Sequence, residues 1–153
     1  MALLTADPSG LVLACPACAQ ANRLPYRHWT SATRCGRCRA ELVRPPAVVE
    51  APDAAAFRGL VASVPCPVLV DFWAPWCGPC RSMAPEFERL AAGIGQEAIL
   101  VKLNTEEVPE VASEHRIQSI PAFVLFMGGR EIARTAGAMP ASRLREFIRQ
   151  SIP

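Results

Sequence analysis

Apolar positions along this chain change period several times, and each change predicts an element. "PVLVDFW", Pro67 to Trp73, is a continuous apolar run broken only by Asp71. Such a run suits a strand buried on both faces of a sheet. From Cys77 to about Ala92 the spacing turns helical, with Met83, Phe87 and Leu90 on one side. Pro85 lies inside this stretch, where its missing N–H is expected to bend the helix. "AILVKLN" reads as another buried strand, and Val108 to about His115 as a short helix. "AFVLFM" and "EIARTA" are two strands joined by "GGR", a hairpin signal. Pro140 to about Ser151 closes the chain as a helix striped by Leu144, Phe147 and Ile148. Upstream, Asp53 is a good N-cap for a helix through about Ser63, and "AVVEA" before it suits an edge strand. The order is β-α-β-α-β-α-β-β-α, an α/β pattern.

Residues up to about Leu42 show no sustained helical period and are rich in Cys and Arg. "RPPAVVEAP", Arg44 to Pro52, is a proline-punctuated joint. It predicts a small N-terminal domain, residues 1–44, and a larger one, residues 45–153. The 153 residues carry a net charge of +2, which makes no case for a nucleic-acid or membrane partner. Six Arg against Asp7 and Glu41 put +4 on the chain up to Arg44 and leave −2 for the rest. The first residues, "MALLTADPSGLVLAC", lack a positive leader and a continuous apolar stretch, although "LVLAC" resembles a lipoprotein cleavage box. No run of about 18 apolar residues is present. The expected location is cytoplasmic, a reducing compartment where paired cysteines more often bind metal or catalyse than staple a fold.

Six of the seven cysteines form three Cys-x-x-Cys pairs. Cys15, Cys18, Cys35 and Cys38 fit the C-x₂-C-x₁₅₋₂₀-C-x₂-C spacing of a zinc site. Two tight turns, one helped by Gly36, would each present two sulfurs to one structural Zn²⁺. So short a segment cannot bury enough apolar surface alone, so the metal would supply its folding free energy. Arg34, Arg37 and Arg39 are near enough in sequence to offset a site charge near −2. His28 reads as a surface or packing residue, and the unpaired Cys66 as a small packing residue.

Cys77 and Cys80 have a different setting. A buried strand leads in and a helix leads out, so Cys77 falls at a helix N-terminus, where free N–H groups and the helix dipole favour a thiolate. Cys80, one turn on, is expected to be deeper and to act as the resolving thiol. Gly78 and Pro79 fix the turn, and proline is tolerated there because first-turn N–H groups lack partners. Asp71 interrupts an apolar strand; burial there raises a carboxylate's pKa, which suits a proton acceptor for the resolving step.

"VLVDFWAPWCGPCRSMAPEF" closely resembles the active-site segment of the thioredoxins, and the likeness continues through "VKLN", "IQSIPAFVLFMGGREI" and "AGAMP". With two cysteine knuckles in front, the plan is similar to the zinc-binding second type of bacterial thioredoxin. The resemblance implies a central mixed sheet of strand order 1-3-2-4-5 with helices on both faces. It implies a protein-disulfide reductase with a redox-active Cys77–Cys80 disulfide and no bound organic cofactor, recycled by NADPH-dependent thioredoxin reductase. Lys102, the only lysine in the chain, matches the family lysine that approaches the buried Asp. Pro121 matches a cis proline facing the dithiol, with the Ile120 backbone pairing an extended client segment. Trp76, Gly78, Pro79, Ile120, Gly137 and Ala138 would form a shallow apolar client-binding rim, and Trp73 packing support. Pro75 departs from the charge common there. A monomer acting on disulfide-containing client proteins is expected. Two other readings are an exported oxidant or isomerase of the same fold, and a zinc-dependent client-binding holdase with an incidental dithiol.

Overall fold

The structure, a computed structural model, describes residues 4–153. Its backbone is one eight-stranded sheet with helices on both faces and a two-stranded ribbon beside it. The strands are β1 (Leu4–Ala6), β2 (Gly10–Ala14), β3 (Ala21–Pro25), β4 (Thr33–Arg34), β5 (Glu41–Leu42), β6 (Val49–Glu50), β7 (Val68–Trp73), β8 (Ile99–Asn104), β9 (Ala122–Met127) and β10 (Arg130–Ala136). The α-helices are α1 (Ala54–Ser63), α2 (Gly78–Ile94), α3 (Pro109–Glu114) and α4 (Ala141–Ser151). From β6 onward the element order is the one the periodicity predicts.

In sheet order the strands run β10-β9-β7-β8-β6-β1-β2-β3. Numbered from β6, the last five strands give 1-3-2-4-5, a mixed sheet in which β6, β8 and β7 are parallel and β9 and β10 antiparallel. Gly128 and Gly129, both at positive φ, make the two-residue turn between β9 and β10. That turn matches the twist of the flanking strands and needs residues tolerant of positive φ. Asp53 caps α1, its Oδ1 accepting from the Ala56 N–H at 2.8 Å. Such a cap stabilises a helix by about 1 kcal/mol.

One expectation fails. "AVVEA" does form a strand, but β6 is interior rather than an edge, because β1 adds to it in parallel, Leu4 opposite Val49 and Thr5 opposite Glu50. The sheet thus runs unbroken across the proline joint. Its rows explain why. Leu4, Val49, Val101, Val70 and Val124 line up in register on one face and are all buried. They belong to a core that also takes Leu11, Leu24, Tyr26 and Trp29 from the N-terminal segment and Phe57 and Leu60 from α1. The opposite face packs Val48, Leu69, Leu100 and Phe123 under Met83, Phe87 and Leu90 of α2 and Leu144 and Ile148 of α4. The N-terminal segment is tied on by apolar burial and by the pairing of β1 with β6.

Gly59 marks how closely the two parts approach. A methyl placed there would overlap the Pro8 carbonyl. On helix propensity alone Gly59→Ala gains up to about 1 kcal/mol. Overlap with backbone outweighs that, and a net loss of about 1–3 kcal/mol is expected in urea unfolding. An unchanged or higher midpoint would mean that the segment is not held against α1.

Candidate functional site: a buried dithiol and a four-cysteine cluster

Cys77 is the N-cap of α2, and its Sγ accepts from the Cys80 N–H at 3.2 Å. Gly78 opens the helix and Pro79 follows in its first turn, where the missing N–H costs no helical bond. The two sulfurs are joined as a disulfide, with Cα atoms 5.2 Å apart. Sequence order suggests that Cys80 lies deeper, yet the two are nearly equal, at 4% and 3% exposure. The reason is local: both pack with Ala74 against Trp73 and Ile120.

Around this pair the chain gathers what the resemblance names. The Ile120–Pro121 bond is cis, and the Ile120 carbonyl oxygen lies 3.8 Å from Cys77 Sγ. Pro79, Gly137 and Ala138 are exposed, and Gly78 and Ile120 half-buried. Gly137 donates its N–H to the Pro121 carbonyl at 2.9 Å, with φ at +91°, a conformation glycine adopts freely. Trp76 is 67% exposed, although its Nε1 donates to Glu106 Oε1 at 2.8 Å. A shallow depression of about 200 Å³ lies between Trp76, Thr105, Ala112, Ile117 and Ile120. Glu106 is a residue that sequence reasoning missed. It lies 30 positions from Trp76, and only the β7–β8 pairing brings the two together.

Asp71 is fully buried. It opposes Phe123 in register and follows Leu69 by two, which puts it on the face that α2 covers. Neither carboxylate oxygen has a hydrogen-bond partner. Burial pushes its pKa up to about 7, and the Lys102 ammonium pulls the other way. Lys102 is the in-register neighbour of Asp71 on β8. Its Nζ, however, rests over the Trp73 ring, 4.2 Å from the centre.

The other four paired cysteines meet at one point. The sulfurs of Cys15, Cys18, Cys35 and Cys38 all lie within 4.8 Å of one another. Cys15 to Cys38 is 3.6 Å and Cys18 to Cys35 is 3.7 Å. Four sulfurs at a Zn–S bond length near 2.3 Å stand about 3.8 Å apart along tetrahedral edges, so the spacing fits that ion. The two turns repeat each other. Ala19 donates to the Cys15 carbonyl and Arg39 to the Cys35 carbonyl, and both have φ near +60°. Ala17 N–H points to Cys15 Sγ and Arg37 N–H to Cys35 Sγ, each at 3.4 Å. Backbone N–H donors to sulfur stabilise negative thiolates. Asn22, not anticipated, donates to Cys35 Sγ at 3.5 Å and accepts from the Gly36 N–H at 3.1 Å. No spacing rule points to an Asn there. Arg34 turns instead to the Arg39 carbonyl.

His28 and Cys66 stand outside the cluster. Cys66 is half-buried against the core under α1, and burial raises its thiol to about 11, which keeps it protonated and inert. Among the described residues no helix is long and apolar enough to cross a membrane.

Burial of Asp71 makes stability depend on pH. Below about 4 the carboxyl is neutral folded and unfolded, and nothing is lost. Between about 4 and 7 the unfolded chain ionises first, so stability falls, and the loss is complete above the folded value near 7. A rise of roughly three units corresponds to about 4 kcal/mol. Asp71→Asn removes this dependence. Its stability relative to wild type is expected to climb by about 3–4 kcal/mol from pH 4 to pH 8 in urea melts. A difference flat across that range would contradict a buried, unpartnered carboxyl.

Comparison with known proteins agrees with this geometry. The thioredoxin family profile matches residues 48–150. The chain is 42% identical over 96 residues to thioredoxin 1 of Nostoc sp., covering 63% of this chain and 90% of that one. It is 45% identical over 92 residues to the M-type chloroplastic thioredoxin of Chlamydomonas reinhardtii, covering 60% of this chain and 66% of that one. The solved structure of Malassezia sympodialis thioredoxin superposes with a TM-score of 0.63 at 31% identity, over 72% of this chain and 96% of that chain. With the fold, the dithiol at the head of α2 and a profile match across two thirds of its length, the chain belongs to the thioredoxin family, whose general activity is thiol–disulfide exchange.

Proposed function

We propose that the chain is a protein-disulfide reductase working through Cys77 and Cys80, recycled by NADPH-dependent thioredoxin reductase. The observation that carries this reading is the N-cap position of Cys77. Its sulfur already accepts the Cys80 N–H, so a thiolate formed on reduction meets a ready donor at the positive end of a helix.

The exchange balances as follows. The Cys77 thiolate attacks one sulfur of a client disulfide; the other client sulfur leaves as a thiolate and takes a proton from water. Cys80 gives its proton to the Asp71 carboxylate and attacks Cys77 Sγ, releasing the second client sulfur. Cys77 and Cys80 lose two electrons, and the client disulfide gains two. An Asp71 that titrates near 7 takes up and returns a proton at neutral pH. The Ile120 backbone offers an extended client segment a hydrogen-bonding edge beside Cys77, and Trp76, Pro79, Gly137 and Ala138 offer apolar or backbone surface around it. An open rim of this kind suits varied protein clients.

Cys15, Cys18, Cys35 and Cys38 would hold one structural Zn²⁺, in the manner of the zinc-binding second type of bacterial thioredoxin. The ion would neutralise the thiolates and fix the two turns. Residues 1–44 then serve as a metal-held unit and 45–153 as the catalytic one, a division of roles within a shared sheet. A monomeric, cytoplasmic protein that binds neither nucleic acid nor membrane fits the near-neutral charge balance.

Insulin reduction coupled to NADPH and a bacterial thioredoxin reductase tests the reading. Cys77→Ser should lose activity by at least about 10³-fold, whereas Cys80→Ser should accumulate a client mixed disulfide on Cys77. Turnover by Cys77→Ser equal to wild type would sink the assignment. Separately, elemental analysis should find one zinc per chain. Chelation under denaturing conditions should expose four more titratable thiols than denaturation without the chelator; a metal-free chain with two bridges among those four cysteines would refute the zinc site.

A further inference from the structure

Glu50 sits mid-segment in "AVVEA", where nothing in the sequence suggests chemistry. In the sheet it opposes Lys102 in register across β6 and β8, and Lys102 opposes Asp71 across β8 and β7. In-register neighbours point to the same face. The row therefore reads Thr5, Glu50, Lys102, Asp71, Phe123. It descends from exposed Thr5, through half-buried Glu50 and Lys102, to fully buried Asp71 and Phe123. The chain's only lysine stands between two carboxylates.

Lys102 is committed to neither. Among the described residues it forms no ion pair; its Nζ lies over Trp73, and both Asp71 oxygens stay without partners. The remaining groups on this face do not compete strongly. Over it α2 buries Cys80, Met83, Phe87 and Leu90, uncharged while the disulfide is closed, keeps Arg81, Glu88 and Arg89 exposed, and holds half-buried Glu86 to Arg89 and the Ala141 N–H. From α4 the buried residues are Leu144 and Ile148, and half-buried Arg145 lies against Gly93 of α2. On reduction the Cys77 and Cys80 thiols join the groups able to titrate near Asp71.

We propose that Glu50 is a positioning residue for the resolving step: its carboxylate, in register with Lys102 on the side away from Asp71, offsets the pull of that ammonium, so that Asp71 stays basic enough to accept the Cys80 proton. Two effects act in the same direction. A carboxylate in full contact with an ammonium is a weak base, and Glu50 divides that ammonium's attraction. Its own negative charge, two strand spacings or about 10 Å from Asp71, further disfavours ionisation there. The N-terminal segment takes part, since β1 lies along β6 and keeps Glu50 off a free sheet edge. The inference rests on Asp71 as proton acceptor, and its test separates the two ideas.

The test is a carboxyl-carbon NMR titration of Asp71 in the oxidised full-length protein, where Cys77 and Cys80 do not titrate. Glu50→Gln should lower the Asp71 midpoint by about half a pH unit, the size expected for one charge at that range. Glu50→Asp, which keeps the charge, should stay near wild type. An unmoved or raised midpoint in Glu50→Gln overturns the proposal, as does Glu50→Asp falling as far as Glu50→Gln. The acid limb of disulfide reduction by reduced enzyme should move with the midpoint. If the midpoint falls while that limb stays, Glu50 acts as proposed and the assignment of Asp71 as acceptor is what fails.

Discussion

A carboxyl group with no hydrogen-bond partner, buried in the central strands, is the constraint on which the catalytic half depends. Burial of an ionisable group is tolerated only if it is paired or neutral. Asp71 has no pair, so it stays protonated far above the ordinary carboxylate range. Every neighbour fits that condition. Phe123 and Leu69 exclude water around it, β8 brings one ammonium alongside without contact, and α2 closes the face above with two sulfurs in its first turn. A salt-bridged Asp71 would make a more stable protein and a poorer proton acceptor. An unpartnered carboxyl raised to about 7 costs the fold about 4 kcal/mol above neutral pH.

The sheet that carries Asp71 is wider than five strands. β1, β2 and β3 extend it, and their apolar side chains share one core with α1. Cys15 and Cys18 lie in the turn between β2 and β3, and Cys35 and Cys38 in the turn between β4 and β5, so a metal there would join the far edge of the sheet that carries Asp71 to the two-stranded ribbon. The N-terminal segment and the dithiol are thus linked through backbone pairing rather than through a flexible tether.

Much of this was legible in the sequence for identifiable reasons. Buried parallel strands betray themselves by unbroken apolar runs, so β7 and β8 stood out, and Asp71 stood out as the flaw in one of them. Asp53 and the Gly128–Gly129 turn signal through local backbone chemistry and need no tertiary partner. Edge or interior position is different. Whether β6 ends the sheet depends on a strand some 45 residues earlier, and a two-residue strand carries too few side chains to reveal both its neighbours. Glu106 and Glu50 were illegible for the same reason, since each acts through a residue that only pairing brings close, and Asn22 reaches Cys35 only because the two cysteine turns meet.

The three Cys-x-x-Cys pairs make the general point. Their spacing is identical, so spacing cannot assign their chemistry; backbone surroundings can. In the first two, a left-handed residue after the second cysteine turns the chain back, and the N–H just before that cysteine points at the first cysteine's sulfur, so both thiols face one point. Two such turns facing each other make a tetrahedron of sulfurs. In the third, Gly78 and Pro79 begin a helix instead, and Cys77 and Cys80 lie one helical turn apart with no second pair opposite. There the nearest partner for each sulfur is the other sulfur. What lies opposite is the Ile120 carbonyl and a proline, neither of which offers a metal-binding side chain. The same four-residue motif therefore builds half of a four-sulfur cluster suited to a metal ion, or an electron-exchanging pair, according to whether its chain turns back or winds on.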